Sequence, residues 1–584
     1  MKYLKQLPSK SQLEEFVSSL DYKEPSVIEI GDEIIYNYRK KFLDSLVFDP
    51  DDYLSIYALE DGTFTYDATS NRQIEYSLNE GEWTVYSKSV ECNAGDIIRL
   101  RGNNTNYYSG SKVFGYSGKF ILYGNTDSLI NSDKSNGFYV SSYAKNTFCY
   151  VFSYNSNLIS IKYLTINANA QYSCNSMFEG CSTLVQVLDY LQAPTNTYCY
   201  ARMFYGCSSL QDASNLTINA SSSYCCDSMF YNCTSLEKIP TINVVNTGSS
   251  YMFQYMFYRC SSLKHAFDYF PNTGYSYSFR YMFANTSLKE APKIRGAVWS
   301  YDFYHTFENC NITNLPPDYF DEVTYINGNY AFAYMFQNCT KLQNSPIIST
   351  QSDYSYTYYN MFNGCISLTS ALPICDFHTT AYSFQNMFAN CTSLTNGPTI
   401  FTNTVSSTSA FTSMFSGCSN LQGVGINLSK PDNNQSYSFP NWLQGTSPHG
   451  TIYAPFNSFV SGVDGLPEGW YFESYYPFNN FSGFSVISDL SLNSTGQEWY
   501  EFFDSLLNEY EYVYVVNSSS YKWLRVTKNA NNAIYMQPIN GAVGNTVITS
   551  DYTIYDNNFW SQNIPVGFLA LNEPLQSAVI HDIM

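Results

Sequence analysis

Charge is scarce in this sequence: 13% of its 584 residues are Asp, Glu, Lys or Arg, about half the share of an ordinary globular chain. Cationic residues are scarcer still, 29 Lys and Arg against 49 Asp and Glu, for a net charge of -20. Such a surface repels a phosphate backbone, which argues against nucleic acid as a partner. No run of apolar residues approaches the length needed to cross a bilayer as a helix, so no membrane span is expected. Pro8, Lys10, Glu14 and Glu15 interrupt the first twenty residues, so they do not read as a secretory leader.

Catalytic signatures are equally sparse. The five histidines are scattered, with no zinc-type His or Cys/His spacing, and neither a nucleophile elbow nor a phosphate loop occurs. A glycan hydrolase would need two carboxylates about 5 to 10 Å apart. Asp321 and Glu322 are the only adjacent carboxylates of the cysteine-rich region, and an exposed loop accounts for them better than a catalytic pair. The expectation is a protein without cofactor, metal or enzymatic activity.

Aromatic residues are abundant, at 18% of the chain with 56 Tyr and 41 Phe, ample to offset the entropy of folding. Fifteen of the 16 cysteines fall between Cys149 and Cys418, and they recur. MFEGCSTL from Met177, MFYGCSSL from Met203, MFYNCTSL from Met229 and MFYRCSSL from Met256 share one pattern. So do MFQNCTKL from Met335, MFNGCISL from Met361, MFANCTSL from Met387 and MFSGCSNL from Met414. Degenerate copies begin at Val151, Met282 and Thr306, which makes eleven motif phenylalanines with a period near 26. Each copy has an apolar residue, usually aromatic, three positions before its first residue, and many have Leu or Ile six positions after the motif leucine.

A unit this short cannot close a core, but stacked units bury equal columns against one another. The fold expected is mainly β with short helical turns, a solenoid of about eleven coils with parallel strands along one face. Its structural ladder pairs Phe178 with Cys181, Phe204 with Cys207, Phe230 with Cys233, Phe257 with Cys260, Phe336 with Cys339, Phe362 with Cys365, Phe388 with Cys391 and Phe415 with Cys418. A buried thiol there acts as a small apolar filler that can donate to a carbonyl of the neighbouring coil. Free thiols are preferred over a disulfide set or a metal site, because a uniform ladder gives each sulfur two equivalent neighbours. Cys225 and Cys226 are consecutive, so at most one should face the core.

The motif M-F-x-x-C-[ST]-x-L resembles the BspA-type leucine-rich repeats of bacterial surface proteins, over about residues 148–472. That resemblance implies a binding scaffold, hence adhesion or recognition. Residues 450–472 resemble the closing segment of such arrays, with Pro455, Gly462, Gly465, Pro467 and Gly469 expected to stop the repeat geometry and Trp470 and Phe472 to cover the last coil. The Tyr-, Asn- and Ser-rich composition is similar to that of proteins from crAss-like phages infecting Bacteroidales, which implies a virion fibre or decoration protein.

The domain layout expected is an N-terminal attachment or lid segment (1–45), a β-sandwich (46–147), a repeat solenoid (148–444), its cap (445–472) and an α+β domain (473–584). In the last, Trp499, Phe502, Phe503, Leu506 and Leu507 lie at helical spacing. Three insertions with a D-Y-[LF] core, at Asp189, Asp268 and Asp318, read either as short packed helices or as ligand-facing loops. Exposed tyrosines suit stacking on sugars or proteins, and Tyr275, Tyr277, Tyr325, Tyr330, Tyr354, Tyr356 and Tyr359 are the binding candidates. The partners expected are other virion proteins through a terminal domain and a host-surface glycan or protein. Self-association, as in trimeric fibres, stays open. The place expected is the virion exterior, with a bacterial cell surface as the alternative.

Overall fold

The computed structural model describes Leu43 and residues 46–474, apart from breaks at 68–71, 109, 193–195, 246–247, 349, 351, 376–377, 402–403, 406–407, 428–437 and 455–458. Further on it describes 484–486, 496–509, 512–517, 523–528, 531–538, 545–548 and 565–571. The N-terminal attachment or lid segment expected at 1–45 lies outside the described residues apart from Leu43. The protein is mainly β, with several sheets and one α-helix among those residues. It divides into two compact units, Met1–Leu263 and Lys264–Met584.

The first unit opens with eight strands: β1 (Leu54–Ala58), β2 (Gly62–Tyr66), β3 (Ile74–Leu78), β4 (Thr84–Val85), β5 (Val90–Cys92), β6 (Ile97–Gly102), β7 (Phe114–Tyr116) and β8 (Phe120–Asn125). Strand β1 is apolar enough to be buried on both faces between β6 and β8, antiparallel to each. In β6, Ile98 and Leu100 point inward while Arg99 and Arg101 alternate outward, the period-two pattern of a half-buried strand. A three-stranded sheet of β5, β2 and β7 accompanies it. The first repeat then adds β9 (Leu158–Ser160) and β10 (Leu164–Thr165) parallel to β8, so the larger sheet runs directly into the repeats. Three later repeat strands, β11 (Tyr190–Leu191), β12 (Thr217–Ala220) and β13 (Thr241–Val244), form a parallel sheet in register, with Thr217 opposite Thr241 and Asn219 opposite Asn243.

The turn of helix expected at each motif is absent. In its place is a run of tight turns with a positive φ at every fourth residue, for example Tyr172 (56°), Ser176 (54°) and Gly180 (71°). Alternate N–H groups leave the coil: Phe178 donates to the Met203 carbonyl at 3.0 Å and Gly180 to that of Tyr205 at 2.7 Å. The intervening ones close local turns, Glu179 to Ser176 at 3.1 Å and Cys181 to Phe178 at 3.2 Å. Each non-glycine left-handed residue costs about 1–2 kcal/mol, and each inter-coil hydrogen bond returns about 1 kcal/mol. Stacking on a neighbour therefore sustains this backbone. It also explains why Gly or Asn so often precedes the motif cysteine, since these residues tolerate the left-handed region best.

Inside the coils, rings stack on rings. In the first unit Phe152, Phe178, Phe204, Phe230 and Phe257 follow one another at 5.3–5.9 Å between centroids. In the second, Phe283, Phe307, Phe336, Phe362, Phe388 and Phe415 do the same. All fifteen described cysteines are buried free thiols. Those of the motif donate to the motif phenylalanine carbonyl of the preceding coil, as Cys207 to Phe178 at 3.3 Å, Cys233 to Phe204 at 3.1 Å and Cys365 to Phe336 at 3.2 Å. Burial pushes the Cys233 and Cys365 thiols up to about 12. Cys225 and Cys226 correct the expectation made for them. Both are fully buried with sulfurs 3.6 Å apart, because strand alternation does not apply in a tight turn between left-handed Tyr224 and Ser228.

The second unit has β14 (Gly296–Trp299) parallel to β15 (Val323–Asn327). A five-stranded parallel sheet follows in the order Ile374–Cys375, Asn396–Phe401, Gly423–Asn427, Gly450–Ala454 and Trp470–Ser474. The closing segment contributes the last two strands of this sheet, Gly450–Ala454 and Trp470–Ser474. A further winding also continues the turns: Phe415 donates to the Trp442 carbonyl at 2.9 Å and Gly417 to that of Gln444 at 2.8 Å. Trp442 takes the place of the motif phenylalanine, fully buried, with its indole N–H on the Gly465 carbonyl at 3.0 Å.

Beyond it, six described antiparallel strands pair in one sheet. The helix Gly496–Glu509 buries Trp499 and Phe503. None of the D-Y-[LF] insertions is a helix. Tyr190 lies in β11, Tyr269 bridges to Lys293, and Tyr319 is buried in a turn with its hydroxyl on the Pro292 carbonyl at 2.8 Å.

Candidate recognition surface

Tyrosine dominates the first left-handed position of each coil, six residues before the motif phenylalanine. There the ring is half-buried and meets its equivalents. In the first unit Tyr172, Tyr198, Tyr224 and Tyr251 stack at 4.4–4.8 Å with interplanar angles of 7–12°. In the second, Tyr277, Tyr301, Tyr330, Tyr356 and Tyr382 stack at 4.5–4.9 Å. Burial, with Tyr356 beside it, pushes the Tyr330 phenol up to about 12. Three binding candidates, Tyr277, Tyr330 and Tyr356, therefore stand in a column whose ring faces are already occupied. Tyr359 meets Tyr330, Tyr334 and Tyr356 edge-on at 5.1–6.4 Å. This column offers hydroxyls and ring edges, not faces.

Of the other three candidates, Tyr275 and Tyr325 meet a residue that sequence reasoning missed, Trp299. Tyr275 stacks on its indole at 5.7 Å and 13°, and Tyr325 meets it at 6.4 Å and 72°. The alternation of β14 and β15 sets this up: Val298 and Ile326 point into the core as partners, leaving Ala297 and Trp299 on the opposite side beside Tyr325 and Asn327. Tyr275 is 48% exposed and Tyr325 51%. Tyr354 donates its hydroxyl to Asn327 Oδ1 at 2.7 Å. Nearby, the Tyr269 hydroxyl donates to Glu322 Oε1 at 3.3 Å, and the Arg295 guanidinium lies over the Tyr269 ring at 5.0 Å. Asp321 is buried whereas Glu322 is exposed, so the adjacent carboxylates do not share one exposed loop.

Two titratable groups lie beneath this region. Asp302 is fully buried and accepts the Ser278 N–H at 3.0 Å, and burial pushes its carboxyl up to about 8. His305 is sandwiched between Tyr281 at 4.4 Å and Tyr334 at 4.1 Å, with Nδ1 2.9 Å from Glu308. Burial holds this imidazole below its ordinary value. Among the described residues no cluster of three or more His, Cys, Asp or Glu could hold a metal ion. No helix among them is long and apolar enough to cross a membrane.

This geometry defines a repeat protein with ordered outward columns. Residues 188–313 match the family described as BspA type Leucine rich repeat region (6 copies), and residues 303–427 match the one described as Mycoplasma protein of unknown function, DUF285. No curated protein and no solved structure matches the chain. The first of these segments is thus similar to BspA-type leucine-rich repeats, and the two matches together leave more than half of the chain unmatched.

Proposed function

We propose that this is a displayed recognition protein that works by binding and carries out no catalysis. Its repeats act as a leucine-rich-repeat solenoid between a β-sandwich and an α+β domain. The observation that carries this reading is the coil-by-coil repetition of side chains, which stacks tyrosines into one run in each unit. A repeat that aligns side chains in this way presents extended binding surface rather than an enclosed pocket. We further propose that the protein is carried on a phage virion, anchored to other virion proteins by a terminal domain, with its repeats directed at a host-surface glycan or protein. The Tyr-, Asn- and Ser-rich, low-charge composition supports the virion, whereas the match to BspA-type repeats favours a bacterial surface adhesin.

Mass spectrometry of purified phage particles and of washed cell-surface fractions separates the two. Recovery in particles supports the virion and recovery on cells supports the adhesin. Recovery only from the soluble lysate overturns display. Binding of the purified chain to intact bacterial cells tests recognition itself.

A further inference from the structure

We propose that Tyr275, Trp299 and Tyr325 form a sugar-binding platform that takes a neutral pyranose of a surface glycan against its open rings. This rests on the recognition reading above and names its ligand class and its place. Among the described residues of the second unit, six large apolar side chains are exposed, and three of them, Tyr269, Tyr275 and Tyr325, belong to this one patch. The remaining three, Ile366, Val463 and Tyr471, lie further along the sequence than the patch.

The rings here differ from those of the tyrosine column. Among the described residues Tyr325 has no parallel ring beside it, and its side chain is about half exposed. The Trp299 indole N–H is buried without an acceptor among the described residues, although a buried indole N–H usually finds one. The site gives up that hydrogen bond and keeps the ring between two exposed tyrosines.

The polar groups around the rings match hydroxyls. Glu322 and Asn327 supply planar acceptors, each already holding one tyrosine hydroxyl, and exposed Arg295 supplies donors. A pyranose offers an apolar C–H face to an aromatic ring and hydroxyls at its rim, the same combination in reverse. From Arg295 to Trp299 the strand extends at most about 13 Å, room for more than one sugar ring. A protein partner usually covers about 800 Å² and 20–30 residues a side, far more than this cluster. Neutrality follows from charge: a sulfated or uronic polymer would meet the Glu322 carboxylate on a chain of net charge -20.

The test uses the full chain on an array of neutral hexose and N-acetylhexosamine oligosaccharides, with sulfated and uronic-acid ones alongside, and compares Tyr325→Ala, Trp299→Ala and Trp299→Phe. Tyr325 is exposed enough for its removal to leave the fold intact, and circular dichroism checks this for each variant. The expected result is binding to neutral oligosaccharides, lost about tenfold or more in the two alanine variants, which is about 1.4 kcal/mol, and largely retained in Trp299→Phe. Unchanged binding in folded Tyr325→Ala and Trp299→Ala, or binding to charged glycans alone, overturns the platform. Capture of intact cells without any glycan signal also overturns it, while leaving the recognition reading standing with a protein receptor. Absence of both sinks the recognition reading itself.

Discussion

The parallel pair β12–β13 and the parallel pair β14–β15 share a backbone plan and differ in what they turn outward. In the first, Thr217 and Asn219 lie opposite Thr241 and Asn243, and Asn243 Nδ2 donates to Asn219 Oδ1 at 3.1 Å. In the second, the corresponding side carries Ala297, Trp299, Tyr325 and Asn327. The first surface satisfies itself, because like residues in register hydrogen-bond along the stack. The second does so only in part, because neighbouring coils are unlike: Asn327 accepts the Tyr354 hydroxyl and Tyr275 stacks on Trp299, while Tyr275 and Tyr325 stay about half exposed. Regularity in a repeat protein consumes its surface groups, and irregularity releases them.

The sharpest way to break the comparison is in the core, where the two pairs should behave alike. Phe204→Ala removes a ring lying between Phe178 at 5.9 Å and Phe230 at 5.3 Å, and Phe307→Ala one lying between Phe283 at 5.9 Å and Phe336 at 5.3 Å. Each should cost about 3–5 kcal/mol, read as a lowered denaturation midpoint in urea. A cost near zero for Phe307 alone would mean that the irregular coils do not belong to a common stack.

A smaller effect tests the turns. Gly364 has φ 78°, and a Cβ there would sit 2.2 Å from Asn338 Oδ1, so Gly364→Val should destabilise by about 2 kcal/mol or more. Asn338, at the equivalent position one coil earlier with φ 57°, should accept Asn338→Gly within about 0.5 kcal/mol in the same urea titration.

Acidity supplies a third test, confined to the irregular coils. Unfolded, Asp302 titrates near its ordinary value of about 4, whereas folded it holds its proton to about 8. Between these values the unfolded chain binds fewer protons, so stability falls as pH rises and levels off above the folded value. His305 works oppositely. Its imidazole is held neutral by burial, so its contribution is lost as pH falls below about 6.5. Buried thiols begin to contribute near pH 8, where unfolded cysteines ionise. Between about pH 6.5 and 8, thermal scans of the wild type should therefore show a falling midpoint, and Asp302→Asn should flatten that slope.

The mainly-β repeat character was legible because cysteine and phenylalanine occupy one corner of most coils, where a ring and a small thiol fit well. The tyrosine column was also periodic in sequence, six residues before most motif phenylalanines, yet it passed unread because tyrosine is an uncommon residue at positive φ and no local rule assigns it there. The winding at Trp442 escaped because tryptophan replaces phenylalanine and the cysteine is missing. Trp299 gave no periodic signal at all, since it has no counterpart in neighbouring coils. Its meaning comes from three segments, 269–275, 295–299 and 322–327, that only stacking brings together. The same holds for Asp321, whose burial depends on the packing of its coil and not on its neighbours in sequence.

Cross-linking across β12 and β13 tests coil-on-coil registry most directly. With Asn219→Cys and Asn243→Cys together, the two residues are register partners on adjacent strands, within disulfide reach. With Asn219→Cys and Thr241→Cys the pair is diagonal, at about 7–8 Å or more, beyond that reach. Mild oxidation of the folded protein should close a disulfide in the first double variant and leave the second open, read by peptide mapping under non-reducing conditions. Equal closure in both, or closure in the diagonal pair alone, would contradict the stacked registry.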